Sequence, residues 1–380
     1  MLLLKNSLFK GLPSYEDRLL LPESPELDPR DLIDQKTPAI LRLFFTTLTG
    51  KSCKGENPKP KRVLADLART LGFLVLGIVS GNLAFILSNY GLLLLPVSWS
   101  CILYSIRKLR LTEQHACSHN AIFDKNDWNS WLGEAISILT LTLNFKDYQR
   151  AHTQTHHSEK LLTPVDETYR FLINEAVFRF GMSREEAWVH FWLTLISPSF
   201  HLRQLRSRLS QTFFSNSSKH NLFAWFFWIS ILGIVAFTQS WLFFFWIWLP
   251  SITVLFQMSH LFRNCVEHRF ALNKLEKTAA IFCAEKPPLF TASDSSVMQL
   301  LSWIRWWLRI FLYHVPSRIF VLTGDSPWHD VHHRYPGDKD WINGYIRRQI
   351  EVDKGIDYIE SWGLCEAMDE TFKSLKEEKS

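Results

Sequence analysis

The sequence predicts an all-α integral membrane protein, with four transmembrane helices in two hairpins and a cytoplasmic helical cap. Two stretches carry the prediction. From Thr70 to Ile106 there is no Asp, Glu, Lys or Arg, and from Asn221 to Phe262 there is again none. A helix needs about 20 apolar residues to cross a bilayer core, so each stretch, roughly 40 residues long, fits two short spans. The 16 tryptophans add a third observation, because Trp collects in the interfacial belts of membrane proteins. The competing reading, a soluble protein with two buried helical hairpins, is disfavoured because soluble cores rarely run this long without a charge.

Residues 1–62 are polar and proline-punctuated and read as a cytoplasmic N-terminal arm, ending in Lys59-Pro60-Lys61-Arg62. Its apolar patch, Ile40 to Leu48, is placed along the membrane interface. The membrane domain is set at 63–345, with its paired spans at about 70–106 and 221–262. Helix breaks are expected at Gly81-Asn82 or Asn89-Tyr90-Gly91 in the first stretch and at Thr238-Gln239-Ser240 in the second. Between the stretches, Trp131 to Phe145 and Trp188 to His201 are apolar but too short to span. Leu301 to His314 has Trp303, Trp306, Trp307, Ile310 and Phe311 crowding one side, the pattern of a helix lying on a membrane surface. Residues 346–380 form a cytoplasmic C-terminal tail, and Lys373 to Ser380 are expected to be solvated or frayed.

Charge sets the orientation. Lys54, Lys59, Lys61, Arg62 and Arg69 precede the first stretch, and the turns inside both stretches carry no Lys or Arg. The segment from Arg107 to Lys219 holds 14 Lys and Arg. By the positive-inside rule, both termini and this central segment face the cytoplasm. The net charge of +5 therefore reflects topology. A nucleic-acid partner would need a concentrated basic patch with a recognition motif, and the sequence offers none. No signal peptide is legible, since only Leu2 to Leu4 are apolar before Lys5, so the first span is expected to direct insertion. The six cysteines show no CxxC spacing and read as reduced residues rather than disulfides.

Fourteen histidines are present, and eight fall into three tight clusters: His115-Ala-Cys-Ser-His119, His152-Thr-Gln-Thr-His156-His157 and His329-Asp-Val-His332-His333. Positions i, i+3 and i+4 share a helix face, so imidazoles at these spacings converge on a metal. In the second cluster His152 and His156 are expected on one face, with His157 turned aside towards a different ion. Imidazole suits iron, copper, zinc and nickel alike, so the clusters imply a metal without naming it. Two spans separate the second cluster from the third, so all three must emerge on one membrane face.

A further candidate follows the second stretch, at Arg263-Asn264-Cys265-Val266-Glu267-His268-Arg269. Asn264 and His268 are i and i+4 on a helix leaving the membrane. His268 is taken as the ninth ligand, with Asn264 holding a metal-bound water. Glu113, Asp147, Glu267 and Asp330 neighbour the ligands in sequence and are candidates to orient the imidazoles. His190, His201, His220, His260 and His314 lack clustering and read as core or interfacial residues. Of these, His260, two turns before His268, is placed in the lining of a substrate cavity. No catalytic residue beyond the metal ligands is assigned.

The three clusters HACSH, HTQTHH and HDVHH resemble the histidine boxes HxxxH, HxxHH or HxxxHH, and HxxHH of the membrane fatty acid desaturase superfamily. That superfamily includes acyl and sphingolipid desaturases and carotenoid and fatty-acyl hydroxylases, with alkane monooxygenases as relatives. The resemblance covers about residues 65–340, in both the order of the boxes and the placement of the spans. It implies a four-span helical fold whose cytoplasmic cap holds two iron ions, with O2 as co-substrate for oxidation of an unactivated C–H bond. By position it makes His115, His119, His152, His156, His157, His329, His332 and His333 ligands. Asn264 and His268 match the Asn-xxx-His element after the fourth span of acyl desaturases.

Ala116 stands where many desaturases carry Asp or Glu, the second box has the longer spacing, and Asn264 to His268 is similar to the Asn-x-x-Glu-His element of alkane monooxygenases. The product is therefore left open between a C=C bond in an acyl chain and hydroxylation of a lipid, alkane or carotenoid. The substrate implied is an acyl-lipid, acyl-CoA or acyl-carrier-protein, entering an apolar tunnel from the spans. No CxxCH, GxGxxG or HPGG element is present, so electrons come from a separate donor, which the resemblance makes a ferredoxin or a cytochrome b5. A non-catalytic metal-binding protein or transporter is the remote alternative. A transporter places its polar ligands at mid-membrane, whereas these histidines lie outside the uncharged stretches apart from His260.

Overall fold

The computed structural model describes residues 28–376, apart from 88, 272 and 292. Of the N-terminal arm expected at 1–62, residues 1–27 thus lie outside the described residues, as do 377–380 of the tail. Four helices are long and apolar enough to cross a membrane: Val63–Ile86, Tyr90–Ser118, Ser218–Thr238 and Trp241–Glu267. They fill the two stretches that the charge map marks out.

The first two spans pack side by side, with contacts running in opposite sequence order along them. Near one end, Lys108 Nζ donates to Asp66 Oδ2 at 2.5 Å and to Thr70 Oγ1 at 3.0 Å. At mid-length Ser98 Oγ donates to the Gly77 carbonyl at 2.6 Å. A Cβ on Gly77 would lie 2.6 Å from Ile102, so the glycine permits the backbone approach. Small residues at such contacts are the usual means by which helices associate where water drives nothing. Of the two breaks expected in this stretch the later one is used. Leu87 is extended, a tight turn follows from Asn89, and Pro96 sits in the first turn of the second span, where no backbone N–H is needed.

The third span starts at a Ser217 N-cap and stops at Gln239, whose left-handed φ of 55° closes the helix at the expected break. Ile229, Ile234 and Phe237 point outward from it, and it is the least buried of the four. The fourth is interrupted near Pro250 and Thr253 and is the most buried. Outward apolar side chains cover the surface that a hydrocarbon phase would meet.

Beyond the spans, the central segment folds into helices including Asn126–Leu139, Phe145–Ala151, Arg184–Leu195 and Pro198–Phe213. Ser183 and Glu186 form a reciprocal capping box at the start of the third of these. One core joins the last two of these helices to the rest of the polar end, with Phe45, Phe171, Phe178, Phe191, Leu261, Ile281, Trp306 and Phe372 all in it, while Ile136, Phe145 and Tyr148 of the first two pack in a separate cluster with Leu109 and Cys117. Truncating a ring such as Phe45 to Ala costs about 3–5 kcal/mol where the site cannot collapse. Residues 28–62 contribute to this core through Ile33, Phe45 and Leu48.

The two expected interfacial helices lie against each other, the Phe45 ring 5.7 Å from Trp306. Ile40 and Leu43 on one, and Val297, Leu300, Leu301 and Leu308 on the other, face outward. Ahead of the end expected to be solvated, Lys373 to Ser380, of which Lys373 is exposed and 377–380 lie outside the described residues, the C-terminal region is packed. Leu364–Ser374 is a packed helix, with Phe372 and Met368 fully buried and Ser374 Oγ accepting from Phe270 N at 3.0 Å. Its apolar face supplies the reason, one too sparse to stand out in a strongly charged stretch. A short parallel pairing of Ala280–Phe282 with Glu360–Trp362 completes the connection.

Candidate metal centre

All nine predicted histidines meet at the polar end of the spans, in two adjoining groups. His115, His119, His152, His157 and His332 form one, and His156, His268, His329 and His333 the other. Within each group, one nitrogen from every ring lies within 4.8 Å of the rest.

Local backbone decides which ring joins which group. His115 and His119 sit at the end of the second span and share a face, as their i, i+4 spacing requires. In the second box the expected pairing of His152 with His156 is not found. The helix widens there to i+5 hydrogen bonding, with His157 N donating to the His152 carbonyl at 3.2 Å. The extra residue per turn brings His157 over His152, Nε2 to Nε2 at 2.8 Å, and turns His156 to the other group. Such widened turns cluster at functional sites, and spacing alone gives no sign of them. In the third box, an ordinary helix of six residues sends His332 to the first group and His329 and His333 to the second.

His268 arrives differently from the expected helical register. The fourth span ends at Glu267, and His268 is extended, bridged to Thr278, and fully buried. Its Nε2 lies 3.1 Å from His156 Nε2. Asn264 is not part of either group. Its Nδ2 donates to the His260 carbonyl at 2.8 Å and lies 3.1 Å from His260 Nδ1, on the wall of the adjoining cavity.

The residues fit metal ions. At a metal–nitrogen distance of about 2.1 Å, two ligands at a right angle lie about 3.0 Å apart. The facing Nε2 pairs are spaced that way: His115–His332 at 2.9 Å, His152–His157 at 2.8 Å, His156–His268 at 3.1 Å and His329–His333 at 3.0 Å. His119 Nε2 is buried without a hydrogen-bond partner, an arrangement that costs about 1–3 kcal/mol unless something binds there. Burial pushes His119 down to about 4, helped by the charge of His329. Burial, then the crowding of like imidazoles, holds His152, His157, His332 and His333 well below the usual range. Neutral rings keep the lone pairs that a metal needs.

Two carboxylates touch the four-ring group. Asp166 Oδ2 lies 3.0 Å from His156 Nδ1. Burial of His156 opposes a proton, but the hydrogen bond and charge of Asp166 outweigh it and raise the imidazole. Glu267 Oε1 lies 3.0 Å from His329 Nε2, and the same oxygen accepts from Arg263 Nη2. Asp325 lies 3.9 Å from His115 Nδ1 of the five-ring group, is within 4.8 Å of a His329 ring nitrogen as well, and accepts from Thr112 Oγ1 at 2.9 Å.

Of the four acidic neighbours expected to orient ligands, Glu267 reaches one. Asp330 is buried but pairs with Arg348, Glu113 faces Lys108 and Thr70, and Asp147 Oδ2 accepts from Asn144 Nδ2, the residue that caps the helix. Sequence proximity missed Asp166 and Asp325. Asp166 is the N-cap of a turn ten residues past His156, and Asp325 lies four residues before His329 behind Gly324.

Beside both groups lies a cavity of about 420 Å³, its wall including His115, His152, His156 and His329. His260 lines it, as expected. The lining is not the apolar one expected of an acyl tunnel, since Arg110, Arg208 and Arg263 stand in the wall with Gln204 and Glu175.

Four candidate membrane spans with two adjoining imidazole groups at one end, each able to hold a metal ion, define the class to which the chain conforms. The family model for fatty acid desaturases matches residues 92–348, about two thirds of the chain. The chain belongs to that family, and with its histidine groups this makes it a desaturase- or hydroxylase-type membrane oxidase. No curated protein and no solved structure matches it.

Proposed function

We propose that the chain is an O2-dependent di-iron oxidase of the membrane, acting on an acyl or lipid substrate and introducing a C=C bond. The observation that carries this reading is the pairing of two all-imidazole groups side by side at one end of four apolar helices. His115, His119, His152, His157 and His332 hold one iron, and His156, His268, His329 and His333 the other. When bound, the irons supply activation of O2 and removal of hydrogen from an unactivated C–H bond.

The protein's own share is binding, orientation and exclusion of water. Asp166 fixes the ring of His156 through Nδ1, leaving Nε2 to face the ion. Glu267 places a negative charge beside the four-ring group and is itself steadied by Arg263. The near-complete burial of the imidazoles keeps bulk water away. Asn264, on the cavity wall, is placed to hold a metal-bound water once its amide leaves His260.

The positive-inside pattern puts the histidine end and both termini in the cytoplasm, where a ferredoxin or cytochrome b5 delivers electrons and where acyl-lipid, acyl-CoA or acyl-carrier-protein substrates arrive. Hydroxylation on the same centre is the second reading, favoured by Glu267 standing next to His329 in an Asn-x-x-Glu-His element. Two measurements test the proposal: metal analysis of the purified chain, and analysis of the lipids of a host expressing it. About two irons per chain and new double bonds are expected. Hydroxyls instead of double bonds would transfer the reading to hydroxylation, and absence of metal would end both.

A further inference from the structure

The cavity beside the histidines is lined in a way that a plain hydrocarbon chain does not need. Arg208 is almost fully buried in its wall. Its Nε donates to the Leu141 carbonyl at 3.1 Å and its Nη2 to the Thr140 carbonyl at 2.5 Å, which fixes the guanidinium, while Nη1 has no hydrogen-bond partner. Arg263, also buried there, pairs with Glu267 through Nη2 and leaves Nε without a partner. Behind them Arg107 is fully buried, and none of its three nitrogens has a partner. Arg107 and Arg208 both lie over the Phe256 ring, 5.0 and 4.4 Å from its centre. Arg110, also in the wall, stacks 4.1 Å over Tyr148.

Buried guanidinium groups with unmet donors are costly, and their gathering around one cavity needs a compensating negative charge. Burial and then the neighbouring Arg110 push Arg208 down to about 9, still above neutrality, so it enters the site charged. Glu267 is already engaged by Arg263 and His329, and Glu175 accepts from Gln204. Glu167 and Arg170 also line the cavity, so four arginines stand against three carboxylates and one positive charge is left unbalanced. An anion in the cavity would lie against the Arg110, Arg208 and Arg263 side chains, whose guanidinium groups are of the kind that selects carboxylate and phosphate.

The arginines stand close to the histidines. Arg263 contacts Glu267, which contacts His329, and Arg110 stacks on Tyr148, whose ring is 5.4 Å from that of His152. One side chain thus separates the Arg110 and Arg263 guanidinium groups from a candidate iron ligand.

Resting on the oxidase reading for its chemistry, we propose that the substrate carries a carboxylate or phosphate that binds among Arg110, Arg208 and Arg263, and is oxidised near that anionic end. The site thus selects an organic anion held by its charged terminus, with Phe171 and Phe256 offering apolar surface for the adjoining carbons.

Binding of octanoate, octyl phosphate and 1-octanol to the iron-loaded full chain in lipid nanodiscs tests this by calorimetry. At least one of the two anions is expected to bind tenfold or more tightly than the alcohol, and the stronger one identifies the headgroup. Arg208→Gln should erase the preference. Because Arg208 also holds two backbone carbonyls, Arg110→Gln serves as the second variant, with iron content as the check on folding. It too should lower anion binding at least fivefold with iron unchanged. Equal binding of all three probes, or a preference that survives both substitutions, overturns the anion site. A modified carbon located by mass spectrometry in mid-chain overturns placement near the anionic end. Anion preference without any oxidation of host lipids would leave the site standing and remove the oxidase reading. Oxidation without anion preference would do the reverse.

Discussion

The two imidazole groups are built from the same residue type at nearly the same spacing, yet their surroundings differ. Beside the five-ring group stands Asp325, 3.9 Å from His115 Nδ1 and also within 4.8 Å of a His329 ring nitrogen. The four-ring group has one ring fewer and two carboxylates at 3.0 Å, Asp166 on the back of His156 and Glu267 beside His329 Nε2. Neutral ligands do nothing to offset the charge of a buried cation, so the placement of carboxylates decides where positive charge is best tolerated. The difference teaches that, on the di-iron proposal, the groups would hold their ions unequally: five rings would secure one by number, and four would secure the other with the help of fixed charge.

The largest effect expected is from removing a ring. His332→Ala opens the five-ring group and His156→Ala the four-ring group, and each should abolish oxidation, with iron per chain falling in metal analysis. Full activity in either variant would break the scheme outright. Next comes Asp166→Asn, which keeps the shape but removes the charge behind His156. Loss of such a partner typically costs 10–100-fold in metal affinity, measurable by competition with a chelator. Glu267→Gln should weaken the same group and also free Arg263, so iron affinity and the apparent affinity for substrate should fall together. Asp325→Asn should have the smallest effect, under about tenfold on metal affinity, because its contact with His115 is longer than a hydrogen bond. If Asp325→Asn equals Asp166→Asn, the asymmetry between the groups is not what the carboxylate distances imply.

The spans were legible because absence of charge over some 40 residues is a one-dimensional signal, readable without knowledge of contacts. Eight of the histidines were legible for a related reason, since tight spacing of a scarce ligand is visible in the string itself, and His268 was read from its place just past the second uncharged stretch. The grouping of those histidines was not. It depends on an extra backbone residue in the turn from His152 to His156 and on His268 leaving helical geometry after Glu267, and neither leaves a mark in spacing. Asp166 and Asp325 escaped because they reach their histidines through turns rather than along a shared helix. The arginines of the cavity come from three separate helices, with Arg110 and Arg208 almost a hundred residues apart, so only the fold brings them together.

The packed helix Leu364–Ser374 bears on the order of events during synthesis. Thr371 Oγ1 lies 3.3 Å from the carbonyl oxygen of His268, and Ser374 accepts from Phe270 two residues on. The segment that steadies this ninth ring therefore leaves the ribosome after every histidine has already emerged. Until then the extended stretch at His268 lacks its cover.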